Sequence, residues 1–308
     1  MVLFVGALHF AGVLCGDLYE GLYTTRFEIL RAPVSHDKIL GVENLAPGVN
    51  LNLRHFDSGA GDKPALIFIH GFPFNQTMWK DQVELSEPRF RVITYDQRGH
   101  GQSGLGNGRY MFEFFVDDLL GLMDRLKIDK AVLCGLSMGG YVALRMAERH
   151  PEKILGLVLC DTKSEADPDA GKLKRASDLR LIQEQGLEAF ADKFSKAVLA
   201  PSHVKNIALY DRVRGMILGN PTEGVQATLI ALATRTDTTA SLNRIQVPTL
   251  ILVGEEDVVT PPASAAAMHD RIPNSQMALI PQAGHMSNLE NPAVFNSHLL
   301  AFLGKIHA

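Results

Sequence analysis

The stretch Cys134-Gly-Leu-Ser-Met-Gly-Gly140 places one hydroxyl, that of Ser137, between glycines two residues away on either side. Directly before it, Lys130–Cys134 is an apolar run of strand character. Directly after it, Met138–His150 carries apolar residues at helical spacing until Pro151, which cannot continue a helix. A serine on so tight a strand-to-helix turn leaves no space for neighbouring side chains. Gly135 and Gly139 remove the ones that would strike the adjoining strand and helix. The turn lifts the hydroxyl above the end of the strand and sets it at a helix N-terminus, where free N–H groups and the helix dipole favour developing negative charge. The pattern Gly-x-Ser-x-Gly is weak alone; between a strand and a helix it reads as a nucleophile elbow.

Working outward, further apolar runs of four to seven residues end at polar or glycine-rich turns. They are Ala65–Ile69 before His70-Gly71, Phe90–Tyr95 before Asp96, Ile154–Cys160 before Asp161, Thr249–Val253 before Gly254, and Met277–Ile280 before Gly284-His285. Runs without strict alternation suit strands covered on both faces. Gly48–Phe56 alternates apolar and polar, as an early edge strand does. Helical patterns at Phe112–Leu126, Met138–His150, Pro261–Ile272 and Asn291–Ile306 separate the strands. The alternation predicts an α/β fold with a doubly wound, mostly parallel sheet. From 163 to 244 no strand is legible. Four helical patterns stand there instead: Ala176–Gln185, Leu187–Leu199, His203–Leu218 and Thr222–Thr234. They read as an inserted helical cap over the strand ends, dividing a core of 41–162 and 245–308 from a cap of 163–244.

In such sheets function collects at the carboxyl ends of the strands, where His70, Asp96, Ser137, Asp161, Asp257 and His285 all fall. A serine hydroxyl needs a base, and the base needs a carboxylate to orient it. His285, in the loop after the last strand, is the candidate base. Asp257, in the loop after the preceding strand, is the candidate acid. Asp161 is a rival acid, as are Glu255 and Glu256 beside Asp257. A tetrahedral intermediate also requires two N–H donors. Met138 N–H, just after the serine, is one candidate. Phe72 N–H, in His70-Gly-Phe-Pro73, is the other, since Pro73 has no N–H to give. The His70 side chain reads as a structural support of that loop.

Composition sets wide bounds. The chain has 308 residues, 46% hydrophobic and 21% charged, with a net charge of −4. Nothing in it suggests a nucleic-acid surface or a disordered acidic tail. Three cysteines, Cys15, Cys134 and Cys160, are too few for a disulfide scaffold; the last two read as small buried residues of strands. Met1–Gly16 is apolar but too short to span a bilayer. No Lys or Arg precedes Arg26, and Leu14-Cys15-Gly16 is a poor cleavage site. The segment therefore reads as part of an N-terminal extension, 1–40, on a cytoplasmic protein; the alternative is a secreted protein with 1–16 as its signal peptide.

Together HGFP, DQRGHGQS, GLSMGG, GEEDVVTPP and GHMSNLENP resemble the α/β-hydrolase superfamily from about Gly48 onward. Within it the chain is similar to small bacterial carboxylesterases and 3-oxoadipate enol-lactonases. The resemblance implies Ser137, Asp257 and His285 in the catalytic positions and Phe72 and Met138 in the oxyanion positions. It makes Asp96–Ser103 a structural turn. It implies hydrolysis of a small-molecule carboxylic ester through an acyl-enzyme, without metal or organic cofactor, in a pocket lined by Phe72, Phe74, Trp79, Met138 and cap residues. Relatives with this fold that cleave haloalkanes or epoxides carry Asp as nucleophile, and those that cleave C–C bonds usually carry Trp where Met286 stands. Enol-lactonases vary from HGFP, so lactone opening is an alternative, with Arg212, Arg214 or Arg235 as carboxylate-binding candidates. A receptor that binds a signal molecule without turnover is the alternative from another class. Oligomeric state is not legible.

Overall fold

A computed structural model describes residues 52–306 except Ala60 and Arg109. The readings of 1–16, 1–40 and Cys15, and the first residues of the Gly48–Phe56 strand, lie outside the described residues.

Seven strands form one sheet in the order β1-β3-β2-β4-β5-β6-β7. They are β1 (His55–Asp57), β2 (Ala65–Ile69), β3 (Arg91–Tyr95), β4 (Ala131–Leu136), β5 (Ile154–Cys160), β6 (Thr249–Gly254) and β7 (Ser275–Ile280). Only β1 runs antiparallel, against β3; the other five pairings are parallel. The central strands β2, β4 and β6 are buried along their whole length, which is why their sequences show no alternation.

The helices are α1 (Lys80–Ser86), α2 (Phe112–Arg125), α3 (Met138–Arg149), α4 (Asp169–Val198), α5 (Ile207–Leu218), α6 (Thr222–Ala233), α7 (Pro262–His269), α8 (Ser287–Glu290) and α9 (Pro292–Leu303). From β2 the chain steps one way to β3, then back across to β4. Right-handed crossovers therefore put α1 and the pair α2 and α3 on opposite faces. The packing agrees: α2 touches α3, and α1 touches α9. The reversal leaves a crevice beyond the carboxyl ends of β2 and β4, between the loop at His70 and the turn at Ser137. Ile69 pairs with Gly135, and Leu136 with Cys160, so these ends lie level.

Three sequence expectations shift. Within the described residues, the predicted edge strand covers His55–Asp57 only. The carbonyls of Asn52 and Arg54 accept from the N–H groups of Gly104 and Asp96, and Arg54 N–H donates to Ser103 Oγ, so this backbone pairs with a turn rather than with a strand. The first two helical patterns of the insertion are two helices that meet at Gly186, where φ is 85° and ψ is 170°, together labelled α4; what shifts is the start, at Asp169 rather than Ala176. Helices α1 and α8 were not foreseen. Both are short, and short helices carry little periodic signal.

Cys134 and Cys160 are buried free thiols, their Sγ atoms 3.9 Å apart. Among the described residues no helix is long and apolar enough to cross a membrane.

Candidate active site

Ser137 sits between β4 and α3 with φ 53° and ψ −111°, a region that non-glycine residues rarely occupy. Two bonds hold it there. Its N–H donates to the Cys160 carbonyl (2.9 Å), and Thr162 Oγ1 donates to its carbonyl (2.8 Å). The flanking glycines are required by contact. A Cβ on Gly135 would lie 2.3 Å from the Gly139 carbonyl oxygen, and one on Gly139 would lie 2.1 Å from that of Ile69. Gly140 is equally constrained: its Cβ would stand 2.4 Å from Thr162 Oγ1.

His285 and Asp257 meet in the interior. His285 Nδ1 lies 2.8 Å from Asp257 Oδ2. Thr260 Oγ1 donates to the same oxygen (2.7 Å), while Oδ1 accepts from the N–H groups of Val259 (2.8 Å) and Thr260 (3.0 Å). Burial opposes the Asp257 charge, but the His285 ring and the Thr260 bonds outweigh it and hold the carboxyl below its ordinary value. With Nδ1 facing the carboxylate, Nε2 is the ring nitrogen left for a proton arriving from the other side.

The rival acids are placed elsewhere. Glu255 and Glu256 are exposed. Asp161 accepts from Gly254 N–H (2.8 Å) and from the Ser287 hydroxyl, not from the imidazole. Burial and the neighbouring Asp257 charge raise its carboxyl well above the ordinary range.

Ser137, His285 and Phe72 line one narrow cavity of about 30 Å³. Tyr141 and Val259 complete its floor, and Lys163, Arg175, Phe194 and Leu232 approach from the stretch between β5 and β6. The Ser137 hydroxyl makes no hydrogen bond to any described residue. Neither Phe72 N–H nor Met138 N–H has a hydrogen-bond acceptor among the described residues. Three pocket expectations are corrected. Phe74, Trp79 and the Met138 side chain are fully buried and do not line the cavity. Trp79 packs in the core against Phe68 and Phe295, with ring centroids 4.9 and 6.4 Å away, and Phe74 backs Phe194. Apolar side chains one turn past the loop serve the core rather than the opening.

The loop after β2 is held as expected. His70 Nδ1 donates to the Gly71 carbonyl (2.8 Å), and its Nε2 accepts from Gln97 N–H (2.9 Å). Burial depresses this ring to about 4, so it stays neutral. Asp96 accepts from the N–H groups of Gln76 and Gln102, in keeping with a structural turn.

Several residues of the site had no legible signal. Asn220, in the turn after α5, donates to the Pro73 carbonyl and accepts from Gly101 N–H, both at 2.6 Å. Glu290 accepts from Gly284 and Met286 N–H, which flank His285, and from Ala200 N–H. The arginines named as carboxylate binders do not reach the cavity: Arg212 faces Asp81, Arg214 faces Asp192, and Arg235 lies over the Tyr141 ring at 3.8 Å. Lys163 and Arg175 reach it instead. Lys163 stands three residues past the end of β5, a position that marks it in hindsight.

The profile of the α/β hydrolase fold matches residues 64–292. The chain belongs to the α/β-hydrolase family. Among similar solved structures, a thermophilic esterase from Thermogutta terrifontis, determined with malate bound, shares 37% identity at a TM-score of 0.79, over 84% of this chain and 95% of its own. The enol-lactonase from Burkholderia xenovorans LB400 shares 29% identity at a TM-score of 0.76, over 83% of this α/β-hydrolase chain and 97% of its own. Among curated relatives, 3-oxoadipate enol-lactonase 2 of Acinetobacter baylyi is 30% identical over 85% of this chain and 96% of its own.

Proposed function

We propose that this α/β-hydrolase cleaves carboxylic esters through a covalent acyl-enzyme on Ser137. The observation that carries the proposal is the joint placement of Ser137, on its strained elbow, and His285, oriented by Asp257, at one cavity. Ser137 Oγ attacks the ester carbonyl as His285 Nε2 takes its proton. The oxyanion is held by Phe72 and Met138 N–H, groups with no acceptor among the described residues. His285 then passes the proton to the leaving alkoxide. Water, deprotonated by the same ring, attacks the acyl carbonyl; collapse returns the proton to Ser137 and releases the acid. Asp257 keeps Nδ1–H oriented and stabilises the imidazolium.

We read residues 163–244 as a cap, because Arg175, Phe194 and Leu232 all come from it to close the cavity. The cavity beside Ser137 is narrow, about 30 Å³, well below the ~300 to 1,000 Å³ of typical ligand pockets. So tight a space favours short acyl groups over long ones. Lactone opening by the same steps is the second reading, supported by the enol-lactonases among the similar proteins.

The test is a rate series on p-nitrophenyl acetate, butyrate and octanoate alongside a lactone panel, with Ser137→Ala as the blank. Butyrate turnover exceeding octanoate, and falling roughly a million-fold in Ser137→Ala, is the expected result. Near wild-type turnover in that variant would overturn the mechanism. Preferential lactone opening would favour the second reading.

A further inference from the structure

The cavity wall opposite the nucleophile is cationic. Lys163 and Arg175 both line the space that holds Ser137 and His285. Their side chains are only 19% and 20% exposed, so neither is an ordinary solvated surface charge. Both lean on Asp167: Lys163 Nζ lies 3.5 Å from it and Arg175 Nε lies 3.1 Å from it. Arg235, buried behind them over Tyr141, approaches the same carboxylate at 3.5 Å. One carboxylate thus serves three cations. Burial opposes the Asp167 charge, yet Arg175, Lys163 and Arg235 together keep its carboxyl below the ordinary range. Glu165, close in sequence, forms no ion pair with any described residue, and Asp257 is committed to His285. Arg235 also acts on Asp237, whose carboxyl it helps to lower, so Lys163 and Arg175 retain one positive charge beyond the Asp167 carboxylate they share. Partly desolvated cations are costly without a partner, and an arginine fork beside a lysine suits a carboxylate.

Building on the hydrolase reading above, we propose that Lys163 and Arg175 form a subsite for a carboxylate of the substrate. The substrate class is then a short ester or lactone that carries a free carboxylate away from the scissile carbonyl, such as the monoester of a short dicarboxylic acid. Arg235 and Asp167 act as positioning residues: they hold the two cations at the wall without touching the substrate. The small cavity limits the spacer between the two carbonyl carbons to a few methylenes.

The test compares monoethyl glutarate with ethyl pentanoate, a near-isosteric neutral ester, by titrating the acid released. The wild-type protein should show at least tenfold higher kcat/KM for the anionic ester. The anionic-to-neutral ratio should fall at least tenfold in Arg175→Gln and in Lys163→Gln, mainly through KM. Raising salt should weaken only the anionic reaction. Equal or better turnover of the neutral ester, or variants that leave the ratio unchanged, would overturn the subsite while leaving the hydrolase reading intact. A calorimetric titration with glutarate needs no chemistry and keeps the two readings separable. Binding that weakens at least tenfold in Arg175→Gln supports the subsite even if neither ester is turned over. Absence of glutarate binding to the wild-type protein counts against it.

Discussion

Ser137 adopts a backbone conformation that costs energy, and the residues around it are small because the chain passes too close for anything larger. Gly139 is the most sharply constrained, with the Ile69 carbonyl where its Cβ would be. Gly139→Ala should destabilise the fold by roughly 3 kcal/mol or more, since backbone rather than a flexible side chain must give way. It should also cut turnover by displacing Ser137. Urea unfolding and the butyrate rate, measured on the same preparation, check both; an alanine variant with wild-type stability would show that the elbow relaxes freely. Asp257 behaves differently. Asp257→Asn keeps the shape but reverses the hydrogen-bond preference at Nδ1, so turnover should drop by about 10⁴ with little change in stability. A drop of only a few-fold would mean that another carboxylate, with Asp161 the nearest candidate, carries the role.

At the scale of elements, the loop of His285, the proposed base, is fixed by a carboxylate that does not touch the imidazole. Glu290, in α8, accepts through one oxygen from the N–H groups on either side of His285, at 3.0 and 3.1 Å. Through the other it accepts from Ala200 N–H at 2.7 Å and meets His203 Nδ1 at 3.0 Å. His285 N–H also donates to the Val198 carbonyl, so the histidine loop is tied to the end of α4 at two points. Glu290→Ala leaves several buried donors without acceptors, each worth about 1–3 kcal/mol. The expected outcome is a loss of roughly 3 kcal/mol in stability and a 10- to 100-fold fall in kcat, with Glu290→Gln intermediate because it retains one acceptor oxygen. Equal kcat in all three proteins would make the clamp structural alone. Such a contact has no sequence signature, because its partners are the His203 ring and backbone groups scattered from 200 to 286.

At the scale of the whole molecule, two buried histidines couple the fold to pH. Burial holds His70 at about 4 and His100 at about 3, while both sit near 6.5 in an unfolded chain. Below about 6.5 the unfolded chain therefore takes up protons that the folded state refuses, and stability is lost as pH falls towards 4. His70 alone contributes on the order of 3 kcal/mol across that window. Asp96 and Asp161, whose carboxyls burial raises, work in the opposite direction. The clean measurement is thus a difference: His70→Gln should lose less stability than the wild-type protein between pH 7.5 and 4.5. Parallel pH profiles would show that the ring is not neutral in the fold.

The division between what the chain states and what its folding decides follows from the range of the interactions. Strand runs, the elbow at Ser137, and Asp257 and His285 at later strand ends are all local patterns; a parallel sheet buried on both faces writes them directly into short stretches. Which of Asp161, Glu255, Glu256 and Asp257 faces the imidazole is not local. It depends on how the loops after β5, β6 and β7 settle against one another, and only the folded chain brings Asp257 to 2.8 Å of His285. The cavity wall is less local still. Arg175 was left outside the predicted cap helices, because α4 begins six residues before it where no periodic pattern marks the start. Trp79 and Phe74 looked like pocket aromatics, yet apolar side chains are drawn to whichever neighbour excludes water best, and the core did so. The sequence by itself determined the sheet, the elbow and the order of its chemical groups. The tertiary structure decided which carboxylate meets the His285 ring and which charges face the cavity, because those contacts join residues that only the packed chain makes neighbours.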